Sequence, residues 1–277
     1  LAAQEGILAL RHAPPPTSNR WIRAEASAPV TTDGIPFLRL VRVELRKMVD
    51  TRAGRWLLIG IGAVTLAVVV TLLFVREPQD LTMSTFLAAT TLPQSLLLPL
   101  LGVMAVTSEW GQRTALVTFT LEPRRLRVLL AKLVGSLVLG AIAIAVAFAF
   151  AALATGLGEL LRDGAGQWHV PWSTVGGLTL SQLLLVAQGV GFGLLFANTA
   201  TAIVAYLVLP MAWGIVGAMV SSLETAAAWL DLSQATFPLV AGQMTGEYWA
   251  QLLTAVSVWV LLPIAAGTWR LVRREVK

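Results

Sequence analysis

The sequence predicts an all-α polytopic membrane protein with six transmembrane helices, an amphipathic helix ahead of the first, and both termini on the cytoplasmic side. Three observations lead there. The 277 residues are 56% apolar and only 13% charged, about half the charge a soluble domain carries, which leaves too little polar surface to cover a globule. Six stretches are long and apolar enough to cross a hydrocarbon core of about 30 Å. All but two of the 20 Lys and Arg residues fall in segments that such a topology puts on one side.

The six stretches lie at about 56–75, 85–107, 128–157, 175–197, 200–222 and 250–269. Pro93, Gln94 and Pro99 interrupt the second, so a broken or tilted helix is expected there. Basic residues crowd the segment before the first stretch, the loop after the second (Arg113, Arg124, Arg125, Arg127, with Lys132 entering the third) and the C-terminus. Only Arg76 and Arg162 fall on the other side. Insertion keeps such residues cytoplasmic, so both ends face inward and the number of spans is even. Residues 1–34, with Pro14-Pro15-Pro16 and scattered charges, read as a poorly ordered cytoplasmic tail rather than a cleavable signal peptide. The remainder, 35–277, forms one transmembrane domain.

The net charge of +5 and pI near 10.4 are explained by this placement, without nucleic acid as a partner. The absence of cysteine excludes disulfides, thiolate metal sites and Cys nucleophiles. Arg dominates the cations; Lys47, Lys132 and Lys277 are the only lysines. His12 and His169 are far apart and form no metal or nucleophile constellation. Gly189, Gly191 and Gly193 lie within a span with no preceding strand, so they are no nucleotide loop. Nor is there a Gly-x-x-x-x-Gly-Lys-Ser/Thr phosphate loop, so the chain by itself is not an ATPase.

Within the spans the polar residues are uncharged: Gln94, Ser95, Gln182 and Gln188. They either line a translocation path or hydrogen-bond neighbouring helices. Small residues recur at four-residue spacing, as Ala141, Ala145 and Ala149 and as Gly189, Gly193 and Ala197, a pattern that suits close helix packing.

Two segments outside the spans are distinctive. Over 36–50, Phe37, Leu38, Val41, Leu45, Met48 and Val49 fall on one helical face, with Arg39, Arg42, Arg46 and Lys47 on the other. A basic amphipathic helix just before a span lies along the inner leaflet, charges toward anionic lipid headgroups. In the loop 107–126, Ser108 is placed to cap a new helix, with Glu109 in its first turn and Arg113 four residues on. Leu116, Val117 and Phe119 give this short helix apolar side chains that need a partner to cover them, unless the helix lies flat on the membrane.

At these segments the sequence resembles the ABC-2 type permease family, particularly its actinobacterial branch. The residues that carry the resemblance are Glu44-Leu45-Arg46-Lys47-Met48 with Thr51-Arg52, then Gly102 to Trp110 with its Thr107-Ser108-Glu109-Trp110 pattern, and Pro123-Arg124-Arg125 leading to Lys132. With the six-span layout it extends over about 35–277. The resemblance implies the membrane subunit of an ATP-driven transporter in a bacterial plasma membrane. ATP and Mg would be bound by a separate ATP-binding subunit. It implies that 36–50 is the interfacial connecting helix and that the segment 109–120 docks on the ATPase, with Ser108, Glu109, Trp110, Arg113, Leu116, Val117 and Phe119 as coupling residues. A second permease subunit, identical or related, would complete the membrane half. Short re-entrant helices are implied over 223–249. Only Asn198 and Thr199 separate spans four and five, so coupling rests on the first loop. Uncharged path residues suit lipidic or drug-like cargo, and nothing suggests docking to an external binding protein, so an exporter is expected. The alternative is an ATP-independent carrier, which the lack of a mid-span charge and of internal repeats disfavours. An intramembrane enzyme is disfavoured by the lack of a catalytic set in any span.

Overall fold

The structure is a computed structural model that describes residues 35–111, 120, 122, 124–164 and 166–273; the expected tail over 1–34 lies outside the described residues. Helix α1 (Phe37–Asp50) leads into α2 (Arg52–Val75), and a 3-10 turn (Pro78–Asp80) into α3 (Met83–Gly111). There follow α4 (Arg125–Arg162), α5 (Trp172–Phe196) and α6 (Thr199–Met219). A 3-10 turn (Ser221–Leu223) and two short helices, α7 (Glu224–Leu230) and α8 (Leu232–Val240), then precede α9 (Gly246–Val256). A π-helical turn (Ser257–Leu261) joins α9 to α10 (Leu262–Arg273). Among the described residues, six helices are long and apolar enough to span a membrane: α2 to α6, and α9 to α10 taken as one. The chain is a multi-pass membrane protein, and no strand occurs among the described residues.

Thr51 alone separates α1 from α2. Its extended backbone ends the first helix, and its side chain caps the second by accepting from the Gly54 N–H at 3.2 Å. Gly54 packs so closely on the Met48 carbonyl that a Cβ would collide with it. The elbow therefore turns α1 back over the bundle, where it packs on α4.

Helix α5 is the hub, packing on α3, α4, α6, α8 and α10. Lipid offers no hydrophobic drive between helices, so close approach of backbones must supply the contact energy. Gly189 lies against the Pro99 carbonyl, and a Cβ on Gly193 would sit 3.0 Å from the Val103 carbonyl. On the α10 side, Gly267 admits the Leu194 Cβ in the same way. The glycine stripe of α5 thus packs as its spacing suggests. The alanine stripe does not: Ala141, Ala145 and Ala149 are exposed on α4. Its buried small residues include Gly135, Gly140, Ala147, Ala151, Ala154 and Gly158, away from that stripe.

Of the break or tilt expected in the second span, the break does not occur: α3 runs through Pro93 and Pro99 unbroken over 29 residues. Each proline frees the carbonyl four residues back, and a neighbouring helix can satisfy it. The Ser95 carbonyl freed by Pro99 accepts from the Tyr206 hydroxyl of α6 at 3.3 Å. The last span carries the distortion instead. At its π turn Trp259 stacks on Phe192, centroids 6.4 Å apart, and donates its indole N–H to the Leu230 carbonyl at 2.6 Å. This ties the short helices α7 and α8 to the bundle.

Ile35 and Arg273, the first and last described residues, lie at one end. Arg127 donates to the Ile35 carbonyl at 2.9 Å and Arg125 to the Leu271 carbonyl at 2.8 Å. Arg270 reaches the Leu195 carbonyl at 2.6 Å. At the other end Arg162 donates to the Leu73 carbonyl at 2.8 Å.

Candidate functional site

At this basic end, four ionised side chains from three helices meet. Glu44 and Lys47 stand one turn apart on α1, Glu109 is in the last turn of α3, and Lys132 is two turns into α4. The Lys132 ammonium donates to Glu44 Oε2 at 2.7 Å and to the Ala105 carbonyl at 3.0 Å, and forms an ion pair with Glu109 Oε1 at 3.0 Å. Lys47 donates to Glu44 Oε1 at 2.7 Å and to Glu109 Oε1 at 2.9 Å. Both oxygens of Glu44 are therefore engaged, and two negative charges balance two positive ones.

Burial makes this arrangement consequential. Glu44 is 5% exposed, Glu109 7% and Lys132 3%. Removing an ion from water costs several kcal/mol, which mutual attraction offsets only where the remaining hydrogen-bonding groups are satisfied. Lys47 is less enclosed. Partial burial alone would lower its pKa, but hydrogen bonds to Glu44 and Glu109 and their negative charges outweigh that and hold it above 10.5.

The network revises two readings of the sequence. Ser108 and Glu109 do not open a new helix, because α3 continues through them to Gly111. Thr107 does not interrupt the helix: its hydroxyl bonds back to the Val103 carbonyl at 3.0 Å and meets the Thr199 hydroxyl of α6 at 2.8 Å. Glu109 accordingly sits at a helix C-terminus, where the macrodipole disfavours a carboxylate, and two ammonium groups offset this. The second revision concerns α1. Arg39, Arg42 and Arg46 are exposed, as the wheel places them, and Arg46 pairs with Asp50 at 2.8 Å. Lys47 instead turns inward, and the buried face is Val41, Glu44 and Met48, while Leu38 and Val49 are exposed.

Trp110 falls in the last turn of α3, and Ser108 is half-buried. Arg113, Leu116, Val117 and Phe119 lie outside the described residues. In the middle of the bundle, Gln94, Gln182 and Gln188 are all buried on α3 and α5. Gln182 donates to the Gln94 carbonyl at 3.1 Å, and Ser95 turns its hydroxyl back to the Leu92 carbonyl at 2.7 Å. Gln94 Oε1, Gln188 Nε2 and the Ser181 hydroxyl, though buried, have no hydrogen-bond partner.

Sequence reasoning did not single out Glu44 or Lys132 as site residues, nor the Glu122–Arg127 pair at 3.1 Å that closes the same end. A signal for Glu44 was available: it shares the three- and four-residue spacing of the buried Val41 and Met48. Lys132 likewise interrupts an otherwise apolar run.

Beside the network is a cavity of about 860 Å³, bounded by α1, the start of α2, the last third of α3 and the start of α4. Apolar side chains such as Leu40, Val43, Leu101 and Met104 form much of its wall, and Arg39 and Arg52 also line it. Among the described residues, no group of three or more His, Asp or Glu gathers in metal-binding fashion. Comparison with protein-family models finds no match for the chain, and a search of curated proteins finds none either.

Proposed function

We propose that this chain is the membrane-spanning permease subunit of an ATP-driven transporter of the ABC-2 type, exporting a lipidic or drug-like substrate. A separate ATP-binding subunit binds ATP and Mg, and a second permease chain completes the membrane half. The basic end faces the cytoplasm of a bacterial cell, following the rule that loops rich in Lys and Arg stay inside.

The observation that carries this reading is the four-charge network. It fastens α1, the end of α3 and the start of α4 together at the root of the loop that the family resemblance assigns to ATPase docking. A displacement of that loop enters the bundle through Glu109 and reaches α1 and α4 at once, because each ammonium holds groups from other helices. Glu109 is then a positioning residue rather than a docking one. Docking falls to Arg113, Leu116, Val117 and Phe119. The uncharged centre of the bundle is consistent with an amphipathic cargo.

Buried ionisable groups are also what a carrier driven by an ion gradient requires, and that is the second reading. Against it, the network lies at one end of the bundle, and its four described charges balance.

The deciding experiment is purification of the chain expressed with its candidate ATPase, followed by reconstitution. A stable complex whose ATP hydrolysis rises with substrate is expected. Arg113→Glu should weaken the complex, whereas Glu109→Gln should preserve the complex and loosen the coupling of hydrolysis to transport. Transport by the chain alone, driven by an ion gradient without any ATPase, would establish the carrier instead.

A further inference from the structure

Two arginines on the wall of the 860 Å³ cavity are left over once its carboxylates pair with Lys47 and with Lys132 and Arg127 just outside it. Three carboxylates line it, Glu44, Glu109 and Glu122, and each has a cationic partner in Lys47, Lys132 or Arg127. Once those pairs are made, Arg39 and Arg52 remain on the wall with no carboxylate partner among the described residues. The cavity follows α1 along its length, from Ile35 beneath the helix to Gly54 past the elbow, roughly 20 Å for 14 residues at 1.5 Å each. Between the two arginines the wall is largely apolar, with Leu40, Val43, Met48 and Leu101 contributing. Pockets of this size with apolar walls and a few placed charges are the usual form of a small-molecule site.

We propose that this cavity is a binding site for an anionic membrane phospholipid. Its phosphate pairs with Arg52 at the elbow end, an acyl chain lies in the apolar channel under α1, and Arg39 adds positive charge toward the far end. The choice of a lipid over a soluble anion rests on three observations. The channel is apolar along most of its length, so a small hydrophilic anion would leave it unfilled. The helix that roofs it exposes Leu38, Val43 and Val49, apolar side chains suited to the acyl boundary of a membrane. Anionic headgroups are the negative charges present at that depth, and basic pockets between membrane helices hold them. Seated there, the lipid would brace α1 against α3 and α4 beside the ion-pair network. The inference requires only that the chain spans a membrane, and it stands or falls separately from any ATPase partner.

The test compares lipid retention and thermal stability of the full chain purified in mild detergent. Wild-type protein should retain phosphatidylglycerol over phosphatidylethanolamine in native mass spectrometry, and phosphatidylglycerol alone should raise its Tm. Arg39→Gln with Arg52→Gln should lower retention at least fivefold and abolish the rise. Arg42→Gln with Arg55→Gln removes the same charge from exposed positions outside the cavity and should leave both readouts unchanged. Arg39→Lys with Arg52→Lys should restore much of the binding. Val43→Trp, which narrows the channel at a partly exposed position without altering charge, should reduce retention without lowering the Tm of lipid-free protein. Equal losses in the two glutamine pairs would overturn the proposal, showing generic attraction of basic protein to acidic lipid. Equal retention of both lipids by the wild type would overturn it as well.

Discussion

The two buried polar regions of this protein are built on opposite plans. At the basic end, four ionised groups lie within hydrogen-bond reach and balance their charges. In the middle of the bundle, three glutamines and a serine are neutral, and three of their polar atoms have no partner. The difference follows depth. A charge in the centre of a bilayer is too costly to keep without pairing or water, whereas an amide or hydroxyl costs far less when left unmet. The end can therefore hold a strong, specific clasp between helices, and the middle can hold polar groups that remain open to new partners.

The largest expected effect breaks the clasp where it is most enclosed. Lys132→Met removes the most enclosed cation from buried Glu44 and Glu109 and should destabilise the fold by about 3–5 kcal/mol, the usual result of unpairing a buried charge. The double variant Lys132→Met with Glu44→Gln restores the balance and should recover most of that loss. Unfolding followed by intrinsic fluorescence, for which the ten tryptophans suffice, measures both. A double variant as unstable as the single one would show that packing around Lys132, rather than charge, holds the end together.

Lys47 sharpens the comparison on a smaller scale. Its side chain is 43% exposed, so water screens the pair, and Lys47→Met should cost no more than about 1 kcal/mol. Because its pKa is raised in the folded state, its contribution is present in full below pH 10.5 and is lost as pH climbs through the higher folded value. The stability gap between wild type and Lys47→Met should hold steady from neutral pH to about 10 and close above that. A gap that opened at low pH would contradict the assignment.

The smallest change belongs to the middle. Gln188→Leu replaces a buried amide whose Nε2 has no partner, so stability should be unchanged or slightly higher by the same unfolding measurement. If instead the variant loses substrate-stimulated activity while keeping its Tm, the unmet amides are where cargo passes. A marked loss of stability would show that Gln188 is already satisfied.

The spans were legible in the sequence because the signal is additive: twenty apolar residues in a row admit few alternatives. All six expected stretches coincide with helices, and the two-residue joint at Asn198 and Thr199 is where α6 begins, with Asn198 as its cap. The site was harder to read. Glu44 and Lys132 are 88 positions apart, and nothing local says they meet; the contact exists because the Thr51 elbow folds α1 back onto α4. The continuation of α3 past Ser108 was hidden for a related reason. Ser108 followed by a glutamate resembles the start of a helix, and only the lysines waiting in space make the same glutamate acceptable at the end of one. The passage of α3 through Pro99 is likewise supported by Tyr206, a residue 111 positions from the carbonyl it satisfies.

The scarcity of lysine gives the clasp a chemical handle. Of three lysines in the chain, two are locked in the network, and Lys132 is almost sealed from solvent. Its modification by a water-borne amine reagent therefore requires α1 to lift away from α4. Quantified by peptide mass spectrometry, the acylation rate at Lys132 becomes a clock for that opening, readable in the native sequence without any engineered probe.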